Sequence, residues 1–232
     1  MVIKAILFDL DNTLIDFMTF KQKSCEAAID AMLAAGLNLK REEALKILLE
    51  LYGKHGIEEQ HIFEKFLNKA KGKVDYRVVA KGVLAYRKAK DAYLKPYPNT
   101  IPTLIQLKQK YKLAIISDAP RLNAWMRLVS MNLDDFFDIV ITAGDVRKTK
   151  VHAAPFKAAL NALKLKPEEA LMVGDRIQRD VNTAKSLGIN TCYARYGDVS
   201  FSGGFHKSPS KKGESGADFE IEDIKELLDL SL

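Results

Sequence analysis

Cysteine is nearly absent from this chain of 232 residues: only Cys25 and Cys192 occur, far apart in sequence. Two such residues form neither a disulfide framework nor a metal-binding spacing, so both are expected as small apolar core residues in a reducing cytoplasm. Nor is there any apolar run near the roughly 20 residues of a membrane span. The opening Met1–Phe8 is apolar but short. It runs straight into Asp9 and Asp11 without a small-residue cleavage site, so it is not expected to be a signal peptide. Charge of one sign is also scarce. Lys and Arg number 36 against 30 Asp and Glu, a net charge of +6 with both signs interspersed. That balance helps attract an anionic substrate but does not indicate a nucleic-acid surface. No internal repeat is present. Hydrophobic residues at 47% and charged residues at 28% exclude wholesale disorder.

What is there is alternation. Short apolar strands are predicted over 3–10, 112–117, 138–142, 170–174 and 190–194, with helices over 100–111, 121–131, 154–163 and 178–187 between them. Continuous runs such as AILF and ALMV suit strands buried on both faces of a parallel sheet, hence a doubly wound, Rossmann-like α/β fold. One interval departs from this. Residues 19–35, 41–52, 58–70 and 76–92 read as four helices punctuated by Gly36, Gly53, Gly56 and Gly72. A helical cap domain over 17–95 is therefore expected inside a catalytic domain formed by 1–16 and 96–232. It is expected to move as a lid on hinges near Asp16–Phe17 and Lys95–Pro98. The Gly- and Ser-rich stretch 197–216, with its basic segment His206–Lys212, reads as a long mobile loop or hairpin with solvated lysines. An edge strand over 218–221 and a helix over 222–230 follow.

In such folds ligands bind beyond the carboxyl ends of the strands. Asp9 and Asp11 follow the first strand, Ser117 and Asp118 the second, Lys150 the third, and Asp175 the fourth, with Asp180 five positions later. Three groups of carboxylates in one crevice need a compensating cation, and an oxygen-only donor set selects a hard ion, Mg²⁺. The metal and Lys150 would hold Asp9 ionised, as a carboxylate nucleophile requires. Ser117, its neighbouring N–H groups and Lys150 would hold a phosphoryl group.

With these motifs in place, the sequence resembles the haloacid dehalogenase superfamily of phosphohydrolases, in its branch with a helical cap after the first strand. The motifs are Asp9-Leu10-Asp11-Asn12-Thr13, Ser117, Lys150, and Gly174-Asp175 with Asp180. The resemblance implies that Asp9 attacks phosphorus to form an aspartyl-phosphate. Asp11 would protonate the leaving oxygen and later activate water. Asp9, the Asp11 main-chain carbonyl and Asp175 would hold Mg²⁺, and Asp180 would support the metal shell or Lys150. Ser117, Asp118 and Lys150 are the expected phosphate-binding residues, with Thr13 either a further catalytic part or a turn cap.

Three departures stand out. Val151 and Ala153 occupy positions where the family carries prolines, and Lys148 competes with Lys150 as the motif lysine; spacing to Phe156 favours Lys150. Arg176 replaces a small residue and would reach substrate or a partner subunit. Asp118 replaces the more usual Asn. His55, His61 and His152 lack metal-ligand spacing, and Trp125, Phe63, Phe66 and Tyr86 read as core.

The function expected is a Mg²⁺-dependent phosphatase of a small phosphorylated metabolite, acting in the cytoplasm without nucleic-acid or membrane partners. A homodimer through the cap or the Arg176 region is the assembly considered. A phosphomutase sharing the aspartyl-phosphate is the alternative. A dehalogenase would need no Asp11, and a receiver-type phosphoacceptor would carry no insertion of a hundred residues.

Overall fold

The computed structural model describes residues 2–199 and 211–232, so the central part of the stretch expected as a mobile loop, with Lys207, lies outside the described residues. The chain divides into two compact units. The first comprises residues 2–16, 95–199 and 211–232, and the second residues 17–94.

The first unit is built on six strands: β1 (Ala5–Phe8), β2 (Lys112–Ser117), β3 (Ile139–Thr142), β4 (Ala170–Gly174), β5 (Asn190–Ala194) and β6 (Phe219–Ile221). They form one sheet in the order β3-β2-β1-β4-β5-β6, with every pairing parallel. This is the doubly wound order, and its direction reverses between β1 and β4. The α/β expectation holds, down to the edge strand β6. All four residues of β1 are buried. Ala5 and Leu7 pack with Ala114, Ile116, Met172 and Phe156 in one core cluster. Their neighbours Ile6, Phe8, Ile115 and Val173 are also buried, so apolar side chains of both alternating sets leave water.

Helices of this unit are α5 (Thr100–Leu107), α6 (Arg121–Ser130), α7 (Ala143–Val146), α8 (Ala154–Leu163) and α9 (Asn182–Ser186). Several expected bounds are corrected. The helix read over 100–111 stops at Leu107 and continues as turns, and that over 222–230 is a short 3-10 stretch, Ile224–Leu228. The helix read over 178–187 opens with a π-helical turn, Ile177–Val181, before α9. That turn sets Asp180 so that its Oδ2 accepts from the Arg176 N–H at 2.9 Å. Single-turn π segments of this kind are frequent at functional sites.

The second unit contains α1 (Phe17–Ala34), α2 (Arg41–His55), α3 (Ile62–Lys71) and α4 (Tyr76–Tyr93), the four helices expected in the insertion. Their core includes Cys25, Ile29, Met32, Leu48, Tyr52, Phe63 and Phe66. Both cysteines are buried, as expected. Lys21 was not foreseen. Its stem is buried in this unit, and its ammonium donates to the Ile57 carbonyl at 2.7 Å and the Tyr86 hydroxyl at 2.9 Å, 4.0 Å from the Tyr52 ring centroid. Among the described residues no helix is long and apolar enough to cross a membrane.

Trp125 is a further correction. It is 40% exposed, on α6, together with Leu122, Met126 and Val129. The buried residues of α6 are Ala124, Arg127 and Leu128. A charged residue takes the inward place that apolar counting would have given to tryptophan.

Candidate active site

Strand register brings the expected residues together. Phe8 is paired with Ile115 on one side and Val173 on the other. Asp9 follows Phe8 directly, while Ser117 and Asp175 stand two positions beyond Ile115 and Val173, so all three leave the carboxyl edge of the sheet within one residue of level. This edge is at the β1/β4 reversal, where parallel sheets open a crevice. Beyond β1 the chain turns back sharply. Asn12 takes the left-handed conformation at φ 62°, its N–H donates to the Ile15 carbonyl at 2.9 Å, and the Leu14 N–H returns to Leu10 at 3.0 Å. The Tyr196 hydroxyl holds the same loop by donating to the Thr13 carbonyl at 2.7 Å. Gly197 packs so closely that a Cβ there would lie 1.7 Å from the Asn12 carbonyl oxygen. Only glycine permits that approach.

Asp9 is buried, and its Oδ1 accepts from the Leu10 N–H at 2.7 Å. The same oxygen lies 2.6 Å from Lys150 Nζ, which is also 2.6 Å from Asp180 Oδ1. Lys150 is 2% exposed, whereas Lys148 is exposed. Of the two lysines, Lys150 is the one that lies against Asp9 and Asp180. Burial pulls its ammonium toward neutrality, but Asp180 and Asp9 outweigh this and hold it protonated. Asp118 plays a part that spacing did not suggest. Its carboxylate accepts from the Lys150 main-chain N–H at 2.7 Å and from Arg179 at 3.1 Å, tethering the lysine loop beside β2. Ser117 is buried, and its Oγ accepts from the Ala119 N–H at 3.1 Å. Thr13 is fully buried, and its hydroxyl has no hydrogen-bond partner among the described residues, so it is not acting as a turn cap.

Asp9, Asp175 and Asp180 each present an oxygen, and the three atoms lie within 4.8 Å of one another. Asp180 is 0% exposed and sits directly over Gly174, where a Cβ would meet its carboxyl at 2.4 Å. Burial pushes Asp175 well above the ordinary carboxylate range, reinforced by Asp9 and Asp180. Burial likewise raises Asp180 to about 6, partly offset by Lys150. Three carboxylates face one wholly buried cation, Lys150. Arg176 adds a second, less buried one, with Nε 3.0 Å from Asp175 Oδ2. Asp175 Oδ1 is buried without a hydrogen-bond partner among the described residues. An oxygen-only group with excess negative charge and an unsatisfied buried oxygen fits a hard divalent cation.

Asp11 was expected beside the metal and does not enter this side-chain group; its main-chain carbonyl was the expected ligand. Its carboxylate Oδ2 instead lies 2.6 Å from Nη1 of Arg127, a buried residue. Sequence reading passed over Arg127, Tyr196 and Gly197, because none falls in a recognisable motif. Arg127 had one usable signal: it shares the 124/128 face of α6, an arginine amid inward positions. His55, His61 and His152 are all exposed.

The chain is similar to known proteins in both sequence and fold. The family model for haloacid dehalogenase-like hydrolases matches residues 6–194. A glyceraldehyde 3-phosphate phosphatase of Methanocaldococcus jannaschii is 35% identical over 99% of this chain and 97% of its own length. One from Methanopyrus kandleri is 33% identical over 99% and 97%. The crystal structure of a phosphatase of the same superfamily from Thermococcus onnurineus superposes with a TM-score of 0.68 at 28% identity, covering 98% of this chain and 97% of that one.

Proposed function

The chain belongs to the haloacid dehalogenase-like hydrolase family, and from that membership we propose that it hydrolyses a small phosphorylated metabolite through an aspartyl-phosphate on Asp9, with Mg²⁺ as its cation. It is a phosphoric monoester hydrolase. The name of its archaeal relatives makes glyceraldehyde 3-phosphate the first substrate to test.

The observation that carries this reading is the way Asp9 is held. The Leu10 N–H and the Lys150 ammonium both fall on Oδ1, at 2.7 and 2.6 Å. Fixing one oxygen orients the carboxylate and leaves the other to attack, as a nucleophile requires. Asp9 attacks phosphorus; the new Asp9 O–P bond forms as the bond to the leaving oxygen breaks. Asp11 gives its proton to that leaving oxygen, then takes one from the water that hydrolyses the acyl phosphate. Ser117 and the N–H groups after it hold phosphoryl oxygens, and Lys150 offsets their charge.

The Asp9 and Asp175 side chains and the Asp11 main-chain carbonyl are the groups we assign to Mg²⁺, while Asp180 serves Lys150. Bound there, the cation would offset phosphate charge and draw electron density from the phosphoryl group. Release of inorganic phosphate from glyceraldehyde 3-phosphate, measured with Mg²⁺ and then with EDTA, tests the reading. Multiple turnovers abolished by EDTA are expected. Undiminished turnover in metal-free buffer would overturn it.

A further inference from the structure

Arg127 lies in α6, the helix that begins at Arg121, just past the segment Ser117–Pro120. It is 2% exposed, and its Nη1 is 2.6 Å from Asp11 Oδ2 across 116 positions of sequence. Placing a guanidinium there costs solvation, and its bond to Asp11 Oδ2, which that oxygen accepts whether or not Oδ1 carries a proton, offsets part of the cost. Asp11 needs such a partner for another reason. It sits in the tight turn after β1, ahead of left-handed Asn12, where no strand or helix fixes its side chain. A general acid works only within about 2.6–3.2 Å of the oxygen it protonates.

We propose that Arg127 is the positioning residue for Asp11. It grips Oδ2, so that the proton travels on Oδ1 in one fixed orientation. The strand–helix unit that supplies Ser117 also supplies this arginine, so the phosphate-holding loop and the acid are aligned by one element. The inference rests on the acid–base reading of Asp11 given above.

Leaving-group dependence separates this from a purely structural role. A para-nitrophenyl phosphate leaves with little help from an acid, whereas an alkyl phosphate such as glyceraldehyde 3-phosphate requires it. Turnover of both esters would be measured for the parent protein, Arg127→Met, Arg127→Lys, Asp11→Asn and the double variant Asp11→Asn/Arg127→Met. Thermal unfolding of each would be recorded alongside. Arg127→Met should lower kcat on the alkyl ester about tenfold more than on the aryl ester, part of the 10²–10⁴ that acid–base assistance is worth. KM should change little. Arg127→Lys keeps a buried cation with a single-point donor and should recover part of the alkyl-ester rate. It also serves if the methionine variant does not fold. In the Asp11→Asn background, Arg127→Met should add no further selectivity. Equal losses on both esters in the Arg127 variants, or additive losses in the double variant, overturn the assignment of Arg127. An Asp11→Asn protein that fails equally on both esters overturns the acid–base reading itself.

Discussion

Lys150 joins two carboxylates of the site, which makes it the most informative single side chain. Removing one partner from a buried ionic group leaves uncompensated charge and is usually severe. Lys150→Ala should therefore lower kcat by about 10²-fold or more, as loss of a preorganised donor does. Lys148→Ala, at an exposed position, should change it less than about twofold. Steady-state rates of both variants check this, and a sensitive Lys148 with a tolerant Lys150 would contradict it. The carboxylates, Ser117 and Lys150 were legible in sequence because each follows a strand at a spacing that the fold converts into proximity. Arg127 was not, because α6 carries a second stripe of four apolar residues, Leu122, Trp125, Met126 and Val129, that looks more like a core face than the one actually buried. Asp118 was legible as a site residue, but its work in holding the Lys150 N–H depends on a loop path that no local pattern encodes.

Elements in the interior of the fold were read closely; their ends were not. Strands β2, β4 and β5 fall where apolar runs placed them, whereas β1 is trimmed to Ala5–Phe8. The π turn at Ile177–Val181 escaped notice because it answers to a tertiary demand, the placing of Asp180 over Gly174, rather than to helical propensity. The close approach of Gly197 to the Asn12 carbonyl escaped for the same reason. Gly197→Ala would set a methyl against the Asn12 carbonyl oxygen and 2.9 Å from the Asp175 Cβ, both parts of the site that cannot yield cheaply. The expected result is a folded protein whose kcat falls about tenfold or more, since displacements near 1 Å at a reacting centre are that costly. Circular dichroism and phosphate release would report the two properties, and parental turnover would contradict the argument. In the helical unit, Asp75 caps α4 by accepting from Arg77 N at 2.9 Å and Val78 N at 3.3 Å. Asp75→Ala should cost about 1 kcal/mol in chemical denaturation. No measurable change would show that these end bonds are replaced by water without loss.

At the level of the whole molecule, the acidic cluster links cation binding to stability. Asp175 is raised well above its ordinary 3.8 and Asp180 to about 6, so the folded metal-free protein holds protons more tightly than the unfolded chain. Its stability from these groups is fully present below about pH 4 and is lost as pH rises through about 6 and beyond. A divalent cation competes with those protons, so Mg²⁺ should raise the thermal midpoint more at about pH 8 than at about pH 5. Equal rises at both would contradict a carboxylate site. The proposed mechanism turns on whether phosphorus becomes bonded to Asp9. The most direct measurement is mass spectrometry of the Mg²⁺-loaded protein quenched after brief mixing with an aryl phosphate. In Asp11→Asn, whose phosphoenzyme lacks a base for hydrolysis, one phosphoryl group should accumulate on the peptide containing Asp9, and none should appear in Asp9→Asn. A phosphoryl group on another peptide, or one that persists in Asp9→Asn, would contradict it.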